Sequence, residues 1–143
     1  MARNMRWVLL LLGISLLVLL VVGCASKPSK TEEGAEAQEK AIFAKISSAE
    51  AKKIMDAGGV TIVDVRTAEE FAEGHVLGAI NIPNEIITDV AEKVLTDKDA
   101  TLLVYCRSGN RSAQSARTLQ GLGYTKIYDF GGIMDWPYEV VRD

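Results

Sequence analysis

Two short apolar runs constrain the fold of this chain more than any other feature. Val60 to Val65 and Thr101 to Tyr105 are dominated by aliphatic and β-branched residues without polar alternation, which is typical of strands buried on both faces of a parallel sheet. Ser47 and Thr67 each stand three residues before a glutamate, the spacing of a helix capping box. Because strands alternate with helices, we predict an α/β fold: one doubly wound domain of about five parallel strands with helices on both faces.

The segments around these runs complete the predicted pattern. A short edge strand is predicted within residues 41–46, a helix follows Ser47 until Gly58, and a second helix follows Thr67 until near Gly74. The other segments predict a turn at 75–78, a strand at 79–82 and a helix at 84–95, then a helix at 113–122, a strand at 126–130, a turn at Gly131-Gly132 and a closing segment at 133–140.

The segment Cys106-Arg-Ser-Gly-Asn-Arg-Ser112 follows the second apolar run and precedes a predicted helix. Open α/β sheets usually bind ligands at the carboxyl ends of their strands, and N–H groups at a helix N-terminus favour an anion. Cys106, between Arg107 and Arg111, is therefore expected to have a lowered thiol pKa and to act as a nucleophile. The competing interpretation is a buried cysteine that fills the end of a strand.

Charge and cysteine content exclude several classes of function. The formal net charge is −3, and the chain has no run of basic residues interleaved with aromatic ones, which argues against a nucleic acid partner. Cys24 and Cys106 are the two cysteines, and His75 is the one histidine. This composition excludes a disulfide framework within the domain and a metal site rich in cysteine or histidine, so we expect neither a metal nor a cofactor.

The amino terminus predicts the leader of a bacterial lipoprotein. Arg3 and Arg6 precede an apolar run from Trp7 to Val22, and Val21-Val22-Gly23-Cys24 resembles a lipobox, the motif at whose cysteine such leaders are cleaved and lipidated. Cys24 is therefore the expected lipidation site, which would make the membrane a partner through the N-terminal lipid. The alternative is an uncleaved anchor, although about sixteen to eighteen apolar residues fall at or below the roughly 17–25 that span a bilayer.

These features divide the chain into a signal peptide (1–23), a flexible tether (24–41) and a folded domain (42–143). The tether is rich in Ser, Lys, Glu, Ala and Gln, a composition that cannot bury enough apolar surface to fold alone. Arginines before the apolar run keep the amino terminus in the cytoplasm. The domain is thus expected in the cell envelope, lipid-anchored on the outer side of the cytoplasmic membrane or in the periplasm at the outer membrane.

Three motifs resemble the rhodanese family of sulfurtransferases over residues 42–143. They are Asp64-Val-Arg66 with Glu70-Phe71, Gly74-His75 through Pro83, and Cys106 through Ser112, followed by Gly131-Gly132 before Trp136. The resemblance implies a rhodanese domain in which Cys106 accepts sulfane sulfur as a persulfide. It also implies a donor anion such as thiosulfate, and an acceptor that is a thiol, cyanide or a partner protein.

The residues of the loop have expected roles. Loop N–H groups from Arg107 to Ser112, through Gly109 and Asn110, would hold the negative terminal sulfur. Arg107 and Arg111 are candidates to bind the donor's sulfonate, although a carboxylate could hold Arg111 instead. The hydroxyls of Ser108 and Ser112 could reach the sulfur or could simply belong to small turn-forming residues.

The other family positions are interpreted as structural. Asp64 ends a central strand, and an ion pair between Arg66 and Glu70 is expected to fix the loop that enters the second helix. His75 is expected to be a hydrogen-bonding residue rather than a base. Phe71 and Trp136 are expected in the core or at the rim of the pocket.

Three other functions stay open from the sequence. Cys106 could carry a persulfide for delivery to a partner protein, or the domain could bind sulfur or a partner without chemistry. Arsenate reductases and phosphatases of the same fold form the third class, but they have one more residue between the cysteine and the arginine. Four residues separate Cys106 from Arg111, which is the sulfurtransferase length.

Overall fold

The computed structural model describes residues 41–142 and contains a five-stranded parallel sheet and a two-stranded antiparallel ribbon. The predicted signal peptide, the lipidation site Cys24 and residues 24–40 of the predicted tether lie outside the described residues, so those assignments stay predictions. Among residues 41–142, every helix is too short or too polar to cross a bilayer.

The elements follow the predicted alternation of strands and helices. The strands are β1 (Ile42–Lys45), β2 (Val60–Asp64), β3 (His75–Val76), β4 (Ala79–Asn81), β5 (Thr101–Cys106), β6 (Lys126–Gly132) and β7 (Val140–Val141). The helices are α1 (Ser48–Ala57), α2 (Ala68–Glu73), α3 (Ile87–Val94) and α4 (Asn110–Gly121), with a 3-10 helix at Ile133–Asp135. Both predicted capping boxes are present, at Ser47 with Glu50 and at Thr67 with Glu70.

The main sheet has the strand order β1-β6-β5-β2-β4, with all pairs parallel. The predicted doubly wound α/β fold is therefore confirmed. The two apolar runs that predicted it, β2 and β5, are neighbours near the middle of the sheet, where Val63 and Val104 are fully buried. Because β5 is the central strand, its carboxyl end is flanked by the ends of β2 and β6.

Each face of the sheet has its own apolar core. One core includes Val104, Cys106, Ala116 and Leu119 and lies under α3 and α4. The other includes Ala51 of α1 and three aromatic side chains, Tyr105, Phe130 and Trp136. The ring centroids of Tyr105 and Phe130 are 5.0 Å apart, and those of Phe130 and Trp136 are 5.4 Å apart. Full burial of one such aliphatic or aromatic side chain contributes about 1.5–3 kcal/mol to folding, so both layers hold β5 in place.

Two predicted turns lie wholly or partly in strands: the turn at Gly131-Gly132 is wrong, and the turn predicted at 75–78 is confined to Leu77 and Gly78. Gly131-Gly132 ends β6, and Gly132 pairs with Cys106 across a register shift; Gly131 accommodates the bend with a φ of +87°. His75–Val76 forms β3, which pairs with β7 in the antiparallel ribbon. A two-residue strand has too little pattern to be distinguished from a turn by sequence.

Two predicted helix starts also differ from the structure. The helix predicted from residue 113 begins at Asn110, immediately after Gly109, which adopts a φ of +102°. The helix predicted from residue 84 begins at Ile87, because Pro83 to Ile86 first form a turn in which Ile86 N donates to Pro83 O at 3.0 Å. The earlier start of α4 brings its N-terminus closer to Cys106 in sequence.

Candidate active site

Cys106 is the last residue of β5 and is almost completely buried, with 1% of its surface exposed. The chain then turns through Arg107, Ser108 and Gly109 and enters α4. The left-handed backbone of Gly109 makes this tight return possible, since residues with a Cβ are disfavoured at that φ. The sulfur therefore lies at the carboxyl edge of the sheet, inside a loop that closes back over it.

Backbone N–H groups of this loop stabilise the thiolate. Gly109 N donates to Cys106 Sγ at 3.1 Å. Burial alone would raise the pKa of the Cys106 thiol, but hydrogen bonds from Ser112 N, Gly109 N, the Ser112 hydroxyl and Ser108 N outweigh it and lower the pKa. The expected direction is confirmed, and the largest favourable contributions come from amides rather than from the two flanking arginines.

Ser112 is the serine of the loop that reaches the sulfur. It is fully buried on the first turn of α4, and its Oγ lies 3.7 Å from Cys106 Sγ. The hydroxyl can donate to the carbonyls of Gly109, at 3.0 Å, and Gly131, at 3.2 Å. Ser108 is exposed, and its hydroxyl has no hydrogen-bond partner among residues 41–142.

Arg111 is held by a carboxylate, which was one of the two outcomes left open by the sequence. Its Nη1 and Nη2 donate to the two oxygens of Glu70 at 2.7 and 2.9 Å. This pairing lowers the pKa of Glu70 to about 2 and raises the pKa of Arg111. A bidentate pair of this kind fixes the guanidinium plane, so Arg111 ties the loop to α2.

Arg107 presents the available guanidinium of the loop. Its side chain is exposed and makes no hydrogen bond or ion pair with residues 41–142, whereas its backbone carbonyl accepts from Met134 N at 3.2 Å. Asn110 is exposed as well. Of the predicted donor-binding residues, Arg107 thus presents an exposed cation without a side-chain partner among residues 41–142, whereas Ser112 presents a buried hydroxyl.

The expected ion pair between Arg66 and Glu70 is wrong. Arg66 Nη2 instead donates to Asp64 Oδ2 at 2.6 Å and to Gly74 O at 2.8 Å, and Arg66 N donates to Asp64 Oδ1 at 2.9 Å. The carboxylate of Asp64, at the end of β2, pairs with Arg66. Glu70 on α2 is therefore available to pair with Arg111. Both Asp64 and Arg66 are buried, where removal of one partner costs about 3–5 kcal/mol.

His75 is packed as a structural residue would be. It is 5% exposed, its Nδ1 lies 3.0 Å from Phe71 O, and its ring stacks on that of Phe71 with centroids 3.7 Å apart. Trp136 belongs to the core that includes Tyr105 and Phe130. Residues 41–142 contain no group of three or more His, Cys, Asp or Glu side chains close enough to share a metal ion.

The end of β6 supports the active-site loop, and sequence reasoning missed this. A Cβ on Gly132 would lie 2.3 Å from Arg107 O and 2.7 Å from Ser108 Cα, so the two backbones touch. Asp129 lies in the same strand, three residues before Gly132. It is 4% exposed, and its Oδ1 accepts the Gly131 N–H at 2.9 Å. The signal was a lone carboxylate inside the otherwise apolar and aromatic run Ile127 to Phe130.

Comparisons with known proteins agree with this geometry. The model of the family described as "Rhodanese-like domain" matches residues 47–138. The thiosulfate sulfurtransferase PspE of Escherichia coli is 38% identical over 73 residues, which cover 51% of this chain and 70% of that protein. The thiosulfate sulfurtransferase GlpE of Pseudomonas putida is 33% identical over 90 residues, covering 63% of this chain and 80% of that protein.

A solved structure described as rhodanese with anions from E. coli has a TM-score of 0.55 at 35% identity. The match covers 58% of this chain and 98% of that one. The family model spans the capping box before α1, the loop from Cys106 to Ser112 and the glycine pair that supports it. The chain therefore belongs to the rhodanese-like domain family.

Proposed function

We propose that this chain is a sulfurtransferase of the rhodanese type. It moves sulfane sulfur from a donor anion such as thiosulfate, through a persulfide on Cys106, to a thiol or cyanide. The observation that carries this proposal is the short contact from Gly109 N to Cys106 Sγ, 3.1 Å, within a loop that lowers the pKa of the thiol. The names of the relatives PspE and GlpE, both thiosulfate sulfurtransferases, support it.

In the first step, the Cys106 thiolate attacks the outer sulfur of thiosulfate. A bond forms between Cys106 Sγ and that sulfur while the donor's S–S bond breaks, and sulfite leaves with the bonding electron pair. In the second step, an acceptor thiolate or cyanide attacks the terminal sulfur, and the Sγ–S bond breaks to regenerate the thiolate. No general base is needed, because the nucleophile is already ionised when its pKa is low enough.

The loop stabilises the negative sulfur throughout this exchange. The N–H groups of Ser108, Gly109 and Ser112 face Cys106 Sγ and are fixed by the helix start and by the end of β6. Preorganised donors of this kind contribute about 2.7–4 kcal/mol each to a developing anion in a site that excludes water. We assign the same N–H groups to the terminal sulfur of the persulfide.

Arg107 is the residue to which we assign the donor's sulfonate. Arg107 follows Cys106 in sequence and its side chain is exposed, and the guanidinium fork matches the oxygens of a sulfonate. Both terminal nitrogens of Arg111, in contrast, donate to Glu70. In this assignment, Arg107 recognises the anion while Arg111 keeps the loop and α2 in register.

We further propose that the protein is lipidated at Cys24 and works outside the cytoplasm. This rests on the leader and lipobox-like ending of residues 1–24 alone. Expression in a bacterium, followed by an intact mass of the membrane fraction, should show a lipid-modified chain that begins at Cys24. The Cys24→Ser variant is the control and should keep residues 1–23 and carry no lipid. An unaltered chain that also keeps residues 1–23 and carries no lipid would indicate an uncleaved anchor.

Mass spectrometry of the reduced chain tests the sulfur transfer directly. Thiosulfate should add the mass of one sulfur atom, a thiol or cyanide should remove it, and sulfite should accumulate. Cys106→Ser should show no gain, whereas Cys24→Ser should gain sulfur as the unaltered chain does. No gain in a folded and reduced sample, together with turnover of a phosphate ester or arsenate, would establish the oxyanion chemistry instead.

A further inference from the structure

Strands β5 and β6 lose their regular register beside the active site. Val104 pairs with Asp129 and Cys106 pairs with Gly132, so one extra residue of β6 is inserted between these pairs. Gly131 has a φ of +87°, the left-handed conformation typical of a β-bulge that contains glycine. The bulge turns the end of β6 toward the loop that holds Cys106.

The side chain of Asp129 holds this bulge. Its Oδ1 accepts the Gly131 N–H at 2.9 Å, two residues further on. Asp129 is paired in register with Val104 and therefore lies on the same face of the sheet, the face on which Cys106 packs. Burial of a carboxylate is costly without a specific hydrogen bond, and the Gly131 N–H supplies one.

The bulge in turn holds Ser112. Ser112 Oγ lies 3.7 Å from Cys106 Sγ, and its hydroxyl can donate to the Gly131 carbonyl at 3.2 Å as well as to the Gly109 carbonyl at 3.0 Å. Gly131 Cα also lies 3.5 Å from the position that a Cβ on Gly109 would occupy, beside the N–H that donates to the sulfur. A small displacement of Gly131 would thus move both the hydroxyl and the loop against the nucleophile.

We propose that Asp129 is a positioning residue for Cys106: it fixes the β6 bulge so that the Gly131 carbonyl places the Ser112 hydroxyl beside the sulfur. Asp129 touches neither the donor nor the reacting sulfur. The proposal concerns the reactivity of the Cys106 thiol and rests on the proposed function only in making that thiol the nucleophile. Alkylation of Cys106 by iodoacetamide tests it without any sulfur donor, so failure of thiosulfate turnover leaves this test intact.

The experiment compares alkylation rates against pH in four variants of the full chain, all in a Cys24→Ser background: Asp129→Ala, Asp129→Asn, Ser112→Ala, and Ser112→Ala combined with Asp129→Ala. Asp129→Ala removes the acceptor, and we expect alkylation at pH 7 to slow by about three- to tenfold, because less of the thiol is ionised. Asp129→Asn keeps an oxygen for Gly131 N–H and should stay within about twofold of the unaltered chain. In a Ser112→Ala background, Asp129→Ala should have no additional effect. Arg107 and Arg111, the charged groups nearest the sulfur in sequence, are the same in all variants.

Three results would overturn the proposal. The first is an unchanged rate profile in a folded Asp129→Ala variant. The second is an equal change in Asp129→Asn and Asp129→Ala, which would mean that the charge of Asp129 acts directly and not through the bulge. An additive effect of Ser112→Ala and Asp129→Ala would remove Ser112 from the path and would equally contradict it.

If Asp129→Ala does not fold, a second measurement tests the proposal in a chain that keeps Asp129. When Cys106 ionises, the Ser112 hydroxyl should turn from the Gly131 carbonyl to the thiolate. The carbonyl carbon resonance of Gly131 should then shift with the titration of Cys106, and Ser112→Ala should abolish most of that shift. A Gly131 resonance that does not respond to the titration would overturn the proposal.

Discussion

The two nitrogens at the tip of Arg111 donate to the two carboxylate oxygens of Glu70, at 2.7 and 2.9 Å. This pair joins the active-site loop to α2, across forty-one positions of sequence. Glu70 also completes the capping box of α2, since its carboxylate accepts Thr67 N at 3.2 Å. One carboxylate therefore fixes both the start of a helix and the arginine that ends the loop.

Substitution of Glu70 by Gln should destabilise the fold by about 0.5–1 kcal/mol at pH 7, the usual value for a well-formed pair near the surface. The pKa of Glu70 is lowered to about 2 in the folded protein from about 4.3 when unfolded. The stabilisation is therefore present above about pH 4.3 and is lost as the pH falls toward 2. Urea unfolding at several pH values measures this, and a difference from Glu70→Gln that persists at pH 2 would contradict it.

Arg107 should matter for the donor and not for the fold. Arg107→Gln removes a charged donor without breaking any side-chain contact, so KM for thiosulfate should rise by about tenfold or more, the worth of a charge-assisted hydrogen bond. Alkylation of Cys106 by neutral iodoacetamide should change much less. Arg117→Gln, on the exposed face of α4, is the matched control and should leave KM unchanged. Equal KM values for both variants would exclude Arg107 from donor binding.

Sequence patterns predicted the parts of this fold that depend on local chemistry. The apolar runs of β2 and β5 and the capping boxes at Ser47 and Thr67 are properties of neighbouring residues, and the structure confirms them. The loop after β5 was predicted because a cysteine, small residues and arginines stand between a strand and a helix. These features require no knowledge of distant contacts.

The predictions that were wrong concern features that depend on contacts between residues far apart in the chain. Arg66 has three acidic residues within four positions in sequence, Asp64, Glu69 and Glu70. Only the direction of α2 shows that Glu70 faces Arg111 while Asp64 pairs with Arg66. Likewise, Gly131-Gly132 has the composition of a turn, but pairing with β5 makes it the end of a strand. Its second glycine is required by the approach of Arg107, a contact between residues far apart in the chain.

The two serines of the loop should differ in their effect on the nucleophile. The Ser112 hydroxyl helps to lower the pKa of the Cys106 thiol, so Ser112→Ala should raise that pKa and slow alkylation at neutral pH by several-fold. The Ser108 hydroxyl has no partner in the described part of the chain, and its contribution comes from the backbone N–H, which Ser108→Ala retains. The pH dependence of iodoacetamide labelling separates the two, and equal profiles would assign no role to the Ser112 hydroxyl.

Gly132→Ala should lower the rate of persulfide formation far more than Gly121→Ala does. Its Cβ would lie 2.3 Å from Arg107 O, so either β6 or the loop must move, at a cost of about 1–3 kcal/mol. Because the loop amides must stay aligned on Cys106, persulfide formation should fall by more than tenfold even where thermal unfolding shows a folded protein. Gly121→Ala is the matched control: it lies in α4 with no atom within 4 Å of the new methyl and should stabilise the helix by up to about 1 kcal/mol. Unchanged persulfide formation in Gly132→Ala would mean that the end of β6 does not hold the loop.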